Sequence, residues 1–101
     1  MSREVYRYTF DASVDLNQVE SSLVLAIMST ESLHGESQAK LDIQHLLDHE
    51  QRRCVIDAGT PSGRDLNLLL VGYLRREFGA KVFRVERMDG ASHATESPTF
   101  V

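Results

Sequence analysis

The stretch "CVIDAGTPSGRD", residues 54–65, carries residue types that could bind an anion. Glycines let a ligand approach the backbone closely, hydroxyl groups donate hydrogen bonds, and an arginine adds positive charge. The residues of this stretch that could do so are Gly59, Thr60, Ser62, Gly63 and Arg64. The stretch lacks the Gly-Lys-Ser/Thr of a P-loop and the glycine spacing of a dinucleotide-binding fingerprint. Two interpretations are therefore open: an anion site, or a turn in which Thr60 caps a helix that begins with Pro61.

Two histidines and the single cysteine could also do chemistry. His45 and His49 are four residues apart, a spacing that places two metal ligands on one face of a helix. On a strand followed by a loop they would diverge, and we favour that arrangement, so we expect no metal and no other cofactor. Cys54 falls on the inward side of a strand pattern, where a free cysteine usually behaves as a small hydrophobic residue rather than as a nucleophile.

The elements that position these residues follow from periodicity. Alternation over residues 4–11 predicts a strand with Tyr6, Tyr8 and Phe10 on one side. Helical spacing over residues 15–34 predicts a helix that Gly35 ends. The later segments are predicted as a strand over 52–58, a helix from the Thr60 cap to Gly79, and a strand over 80–88.

Residues 39–51, "AKLDIQHLLDHEQ", fit two structures. Leu41, Ile43, His45 and Leu47 alternate as in a strand, whereas the composition suits a helix. We favour a strand followed by a "DHEQ" loop, because the strand over 52–58 needs an antiparallel neighbour.

The resulting order, strand-helix-strand-strand-helix-strand, predicts an α+β fold. We expect a ferredoxin-like βαββαβ sandwich, with a four-stranded antiparallel sheet and two helices on one face. One domain is expected over residues 1–88, followed by a disordered tail over 89–101. We expect the first and third strands to be parallel neighbours, so that the loops after them meet at one end of the sheet. That would create an anion site at two helix N-termini, formed by Ser13, Thr60, Ser62, Gly63 and Arg64.

The sheet face without helices is the second candidate surface. Strand alternation places charged residues there, and those that we expect to form an interaction surface are Arg7, Arg53, Asp57 and Arg84. Cross-strand charge pairs can be purely structural, but the same face or an edge strand could pair with a second copy of the chain. We therefore expect a homodimer.

Composition and charge exclude several classes of protein. The 101 residues carry a formal net charge of −4, which argues against a general nucleic-acid binder. A lone cysteine excludes an intramolecular disulfide, and the apolar runs are too short to span a membrane. The N-terminus enters a strand pattern almost directly, so we expect no signal peptide and a cytoplasmic location. The sequence favours a small non-enzymatic interaction module; the alternative is a protein, or an enzyme, that binds a small anion or nucleotide.

Overall fold

The computed structural model describes residues 4–89 and 99–100. The elements in chain order are β1 (Glu4–Phe10), α1 (Leu16–His34), α2 (Glu36–Asp42), β2 (Gln44–Asp48), β3 (Arg53–Asp57), α3 (Pro61–Phe78), β4 (Phe83–Asp89) and β5 (Thr99–Phe100). The sheet has the order β2-β3-β1-β4-β5, and every neighbouring pair of strands is antiparallel. The predicted α+β class and the antiparallel sheet of four main strands are therefore confirmed.

The number of helices differs from the prediction. The described residues form three helices rather than two, so the predicted βαββαβ order is wrong and the ferredoxin-like arrangement is not confirmed. The additional helix, α2, occupies the first part of the segment that we expected to be a strand. It begins after Gly35, whose φ of +89° breaks the chain direction after α1, and Lys40 pairs with Glu36 one turn earlier at 3.1 Å. The strand β2 begins only at Gln44.

The first and third strands are neighbours, but they are antiparallel. Val5 lies opposite Asp57 and Thr9 lies opposite Arg53. Strand β3 lies between β1 and β2, which run in the same direction. The short turn of the β2–β3 hairpin reverses the chain, so β3 is antiparallel to both of its neighbours. The expected parallel pairing is wrong, and the loops after β1 and β3 leave opposite ends of the sheet.

The core lies between one face of the sheet and the helices. Tyr8 and Phe10 of β1 are buried there, and the rings of both lie near that of Phe83 on β4. Helices α1 and α3 each contribute an apolar stripe; the buried members are Leu16, Val19, Leu23 and Ala26 of α1, and Leu66, Leu70, Val71 and Leu74 of α3. The predicted inward side of β1 is thus confirmed.

Helix α2 packs against α1 and α3 through the buried Ala39. In the ranges that the structure describes, no helix is long and apolar enough to cross a membrane. Most of the predicted tail over 89–101 lies outside the described residues. Of that segment, Asp89 completes β4, while Thr99 and Phe100 pair with Arg87 and Glu86.

Candidate functional site

The turn before α3 is closed by hydrogen bonds within the chain. The hydroxyl of Thr60 accepts a hydrogen bond from the Gly63 amide at 3.0 Å and donates one to the Asp42 carbonyl at 3.3 Å. The Asp57 carboxylate accepts from the Gly59 amide at 2.9 Å. Pro61 has no amide hydrogen to donate. The amides that an anion would need are thus largely engaged, and the predicted capping by Thr60 and Pro61 is confirmed.

Packing requires a glycine at position 63 of this turn. A β-carbon added at Gly63 would lie 2.1 Å from the backbone oxygen of Asp57, so the start of α3 rests directly on the end of β3. Ser62 is fully buried beside it. Arg64 is exposed, and its guanidinium lies 3.9 Å from the Glu4 carboxylate. A close helix–strand contact therefore explains Gly63 without any ligand.

Ser13 lies at the opposite end of the sheet. The Phe10 amide at the end of β1 bonds to the Arg52 carbonyl at 3.0 Å, whereas the Ala58 amide after β3 bonds to the Glu4 carbonyl at 2.7 Å. The expectation that Ser13 joins Thr60 in one site is therefore wrong, because β1 and β3 run in opposite directions. Anion binding by Thr60, Ser62, Gly63 and Arg64 alone stays a prediction.

Within its own loop, Ser13 binds a carboxylate of the chain. Its hydroxyl and amide donate to Asp11 Oδ2 at 2.7 and 3.3 Å, and these hydrogen bonds lower the pKa of the Asp11 carboxyl. Asp15 caps α1 by accepting from the Asn17 amide at 2.9 Å.

Arg52 holds this loop in place, a role that the sequence analysis missed. Its guanidinium donates to the carbonyl oxygens of Asp11, at 2.8 Å, and of Val14. Arg52 adopts a left-handed backbone conformation, with φ of +56°, in the turn between β2 and β3. Asparagine, aspartate or glycine is the usual residue there, so no local sequence signal pointed to an arginine.

The charged residues predicted for the open face lie on strands β1, β3 and β4, with side chains that alternate away from the core. Arg7 donates to Glu86 across the β1–β4 pair at 3.1 Å. Glu86 is only 4% exposed. This pair is consequently part of the sheet structure, and a charge reversal at Arg7 would disturb the fold as well as any interface.

An apolar patch adjoins these charges at the outer edge of the sheet. Leu46 on β2 lies directly opposite Val55 on β3, and this residue is 62% exposed. A shallow groove of about 300 Å³ opens beside them, lined by Val5, Gln44, His45, Leu46, Val55 and Asp57. We call Val5, Leu46 and Val55 the β2 patch. The sequence pattern did not indicate Leu46, because this residue falls on the opposite side of the strand from the alternating Ile43, His45 and Leu47.

The candidate metal and nucleophile residues are separated. His45 lies opposite Ile56, on the helix side of β2, whereas His49 lies in the following turn, 3.7 Å from Glu20. Over the part of the chain that the structure describes, no group of three or more metal-ligating side chains forms. Cys54 is fully buried, and burial raises the pKa of its thiol to about 12, so its reactive thiolate is not formed at neutral pH.

The geometry therefore assigns the turn before α3 a structural role, and the open sheet face and its β2 edge are candidate binding surfaces. Comparisons with known protein families, with curated proteins and with solved structures find no match to this chain.

Proposed function

We propose that this chain is a small non-enzymatic interaction module that self-associates through strand β2. The supporting observation is that β2 is an edge strand and contributes to the exposed β2 patch. In the described sheet, β2 has a strand neighbour on one side only, and Leu46 exposes most of its side chain at that edge. Edge strands offer unpaired backbone groups to a second strand, and an exposed apolar side chain adds a driving force.

The sequence of β2 is compatible with pairing to itself. An antiparallel pair with its two-fold axis at Leu46 sets Leu46 opposite the same residue of the second copy. The same register sets Gln44 opposite Asp48, where an amide can donate to a carboxylate. All three side chains lie on the open face, because they alternate with His45 and Leu47. Both copies contribute the same surface, as two-fold symmetry requires.

The expected association is weak and reversible. A pair of five-residue strands buries less surface than a standard stable interface. Burying the exposed part of Leu46 contributes about 1–2 kcal/mol for each copy. Replacing Leu46 by lysine would remove this contribution and place two positive charges opposite each other.

The test is sedimentation velocity over a wide concentration range, with Leu46→Lys compared with Leu68→Lys. Leu68 on α3 is a matched control, since it is 66% exposed and belongs to the helix layer, whereas Leu46 lies on the opposite face of the sheet. We expect the parent and the Leu68 variant to form dimers at high concentration, and the Leu46 variant to remain monomeric. A parent that stays monomeric at all concentrations, or equal dimerisation of both variants, would contradict the proposal.

We also propose that the fold is a ferredoxin-like sandwich with additions. The antiparallel order β2-β3-β1-β4, with α1 and α3 on one face, supports this assignment. Helix α2 and strand β5 would be the additions.

A further inference from the structure

Two arginines flank a threonine at one end of the open face. Thr9 on the central strand β1 lies directly opposite Arg53 on β3 and directly opposite Arg84 on β4. Its neighbours Tyr8 and Phe10 point into the core, so Thr9 and both arginines project from the open face. Side chains directly opposite in antiparallel strands start about 5 Å apart at their β-carbons, so the side chains of Arg53 and Arg84 both begin beside Thr9.

Several polar groups here are not used by the fold. Within residues 4–89 and 99–100, the Thr9 hydroxyl and the Arg53 and Lys81 side chains make no hydrogen bond or ion pair. By contrast, Arg7 is held by Glu86. The unused groups lie together at one end of the sheet, where a ligand can contact them.

A groove of about 360 Å³ adjoins this row, at the end of β1 and the start of β4. Its lining is formed by Thr9, Phe10, Asp11, Ala12, Lys81, Val82, Phe83 and Arg84. The Asp11 carboxylate in its wall already accepts two hydrogen bonds from Ser13. On the far side of Arg53, Asp48 accepts from the amides of Glu50 and Gln51 at 3.0 and 3.1 Å. Both nearby carboxylates are thus engaged by their own turns.

We propose that a small molecule carrying a phosphate group binds on the open face between Arg53 and Arg84. The Thr9 hydroxyl donates to a phosphate oxygen from below, and Lys81 adds charge at the rim of the groove. Guanidinium groups suit this ligand, because their planar forks donate paired hydrogen bonds to phosphate oxygens. The site does not depend on self-association, since pairing along the β2 edge leaves this row exposed.

The experiment is an amide-resolved NMR titration of the full chain with inorganic pyrophosphate and inorganic phosphate at constant ionic strength. We expect saturable shifts at residues 9, 53 and 81–84, and binding about tenfold weaker in Arg53→Gln and in Arg84→Gln. Arg84→Lys keeps the charge but loses the fork, so we expect an intermediate affinity. Arg75→Gln and Arg76→Gln, in the exposed last turn of α3, are the matched controls and should leave the affinity unchanged.

The altered residues are exposed, so a dispersed spectrum of each variant confirms its fold before titration. Equal weakening in the α3 controls would show general charge attraction and overturn the proposal. Shifts confined to residues 59–64 would overturn it in favour of the turn before α3. Single-stranded oligonucleotides that bind much more tightly than pyrophosphate would instead indicate a nucleic-acid surface.

Discussion

Replacing Gly63 by alanine tests whether the turn before α3 is shaped by packing. Two effects oppose each other at this helical position. Alanine is a better helix former than glycine by about 1 kcal/mol, which would stabilise the protein. The added β-carbon, however, would lie 2.1 Å from the Asp57 carbonyl oxygen, whereas ordinary contacts begin at 3.4 Å.

The steric effect should win. The start of α3 would have to move by about 1.3 Å, the difference between those two distances. The obstacle is backbone, which cannot rotate away, and α3 is held nearby by the Thr60 cap and by Tyr8, whose hydroxyl donates to Asn67 at 2.6 Å. Overpacking of this kind typically costs 1–3 kcal/mol, and we expect about 3 kcal/mol here. After the helix-propensity gain, the net loss is about 2 kcal/mol, or a fall in Tm of roughly 10 °C.

Urea and thermal unfolding followed by circular dichroism measure this loss. Gly72→Ala in the same helix is the matched control, because its added β-carbon meets nothing within 4 Å. We expect that variant to be more stable than the parent by up to about 1 kcal/mol. A Gly63→Ala variant as stable as the parent would show that the contact between α3 and β3 does not require glycine at this position.

Two further predictions concern the core. Tyr8→Phe removes a buried hydroxyl and leaves the Asn67 side-chain oxygen without its donor, so chemical denaturation should show a loss of about 1–3 kcal/mol; an unchanged midpoint would show that the bond contributes nothing. Cys54 should react with a thiol reagent at pH 8 only when the chain opens, because the thiol is fully buried and its pKa of about 12 keeps it protonated in the folded protein. Since that pKa is raised from 9.0, the associated stability is present below pH 9 and is lost as the pH rises towards 12.

The features predicted correctly are those determined by residues close together in the sequence. The alternation of Tyr6, Tyr8 and Phe10 gave β1 its inward side, and Thr60 followed by Pro61 located the start of α3. Gly79 ends α3 with a φ of +84°, a left-handed conformation that glycine adopts without strain. Each of these signals depends on a few neighbouring residues, so one sequence is enough to recognise it.

Helix α2 was missed because two local signals conflicted. Leu41 and Ile43 alternate with polar residues, yet Leu41 belongs to the helix and is 77% exposed, while Ile43 lies just after it. Two signals favour the helix: Gly35, which separates it from α1, and the Glu36–Lys40 pair one turn apart. Alternation over four positions was too short a pattern to outweigh them.

The direction of β3 relative to β1 is a property of the whole chain, and it determines where a site can form. A parallel pair would have joined the loops after β1 and β3. The antiparallel pair separates them by the length of a seven-residue strand, roughly 20 Å. The same register brings Thr9 between Arg53 and Arg84, residues that are far apart in sequence. The proposed phosphate site therefore depends on strand register, whereas the anion site predicted from the sequence depended on the glycine-containing turn. The titration tests the proposed site, and Gly63→Ala tests the packing of the turn.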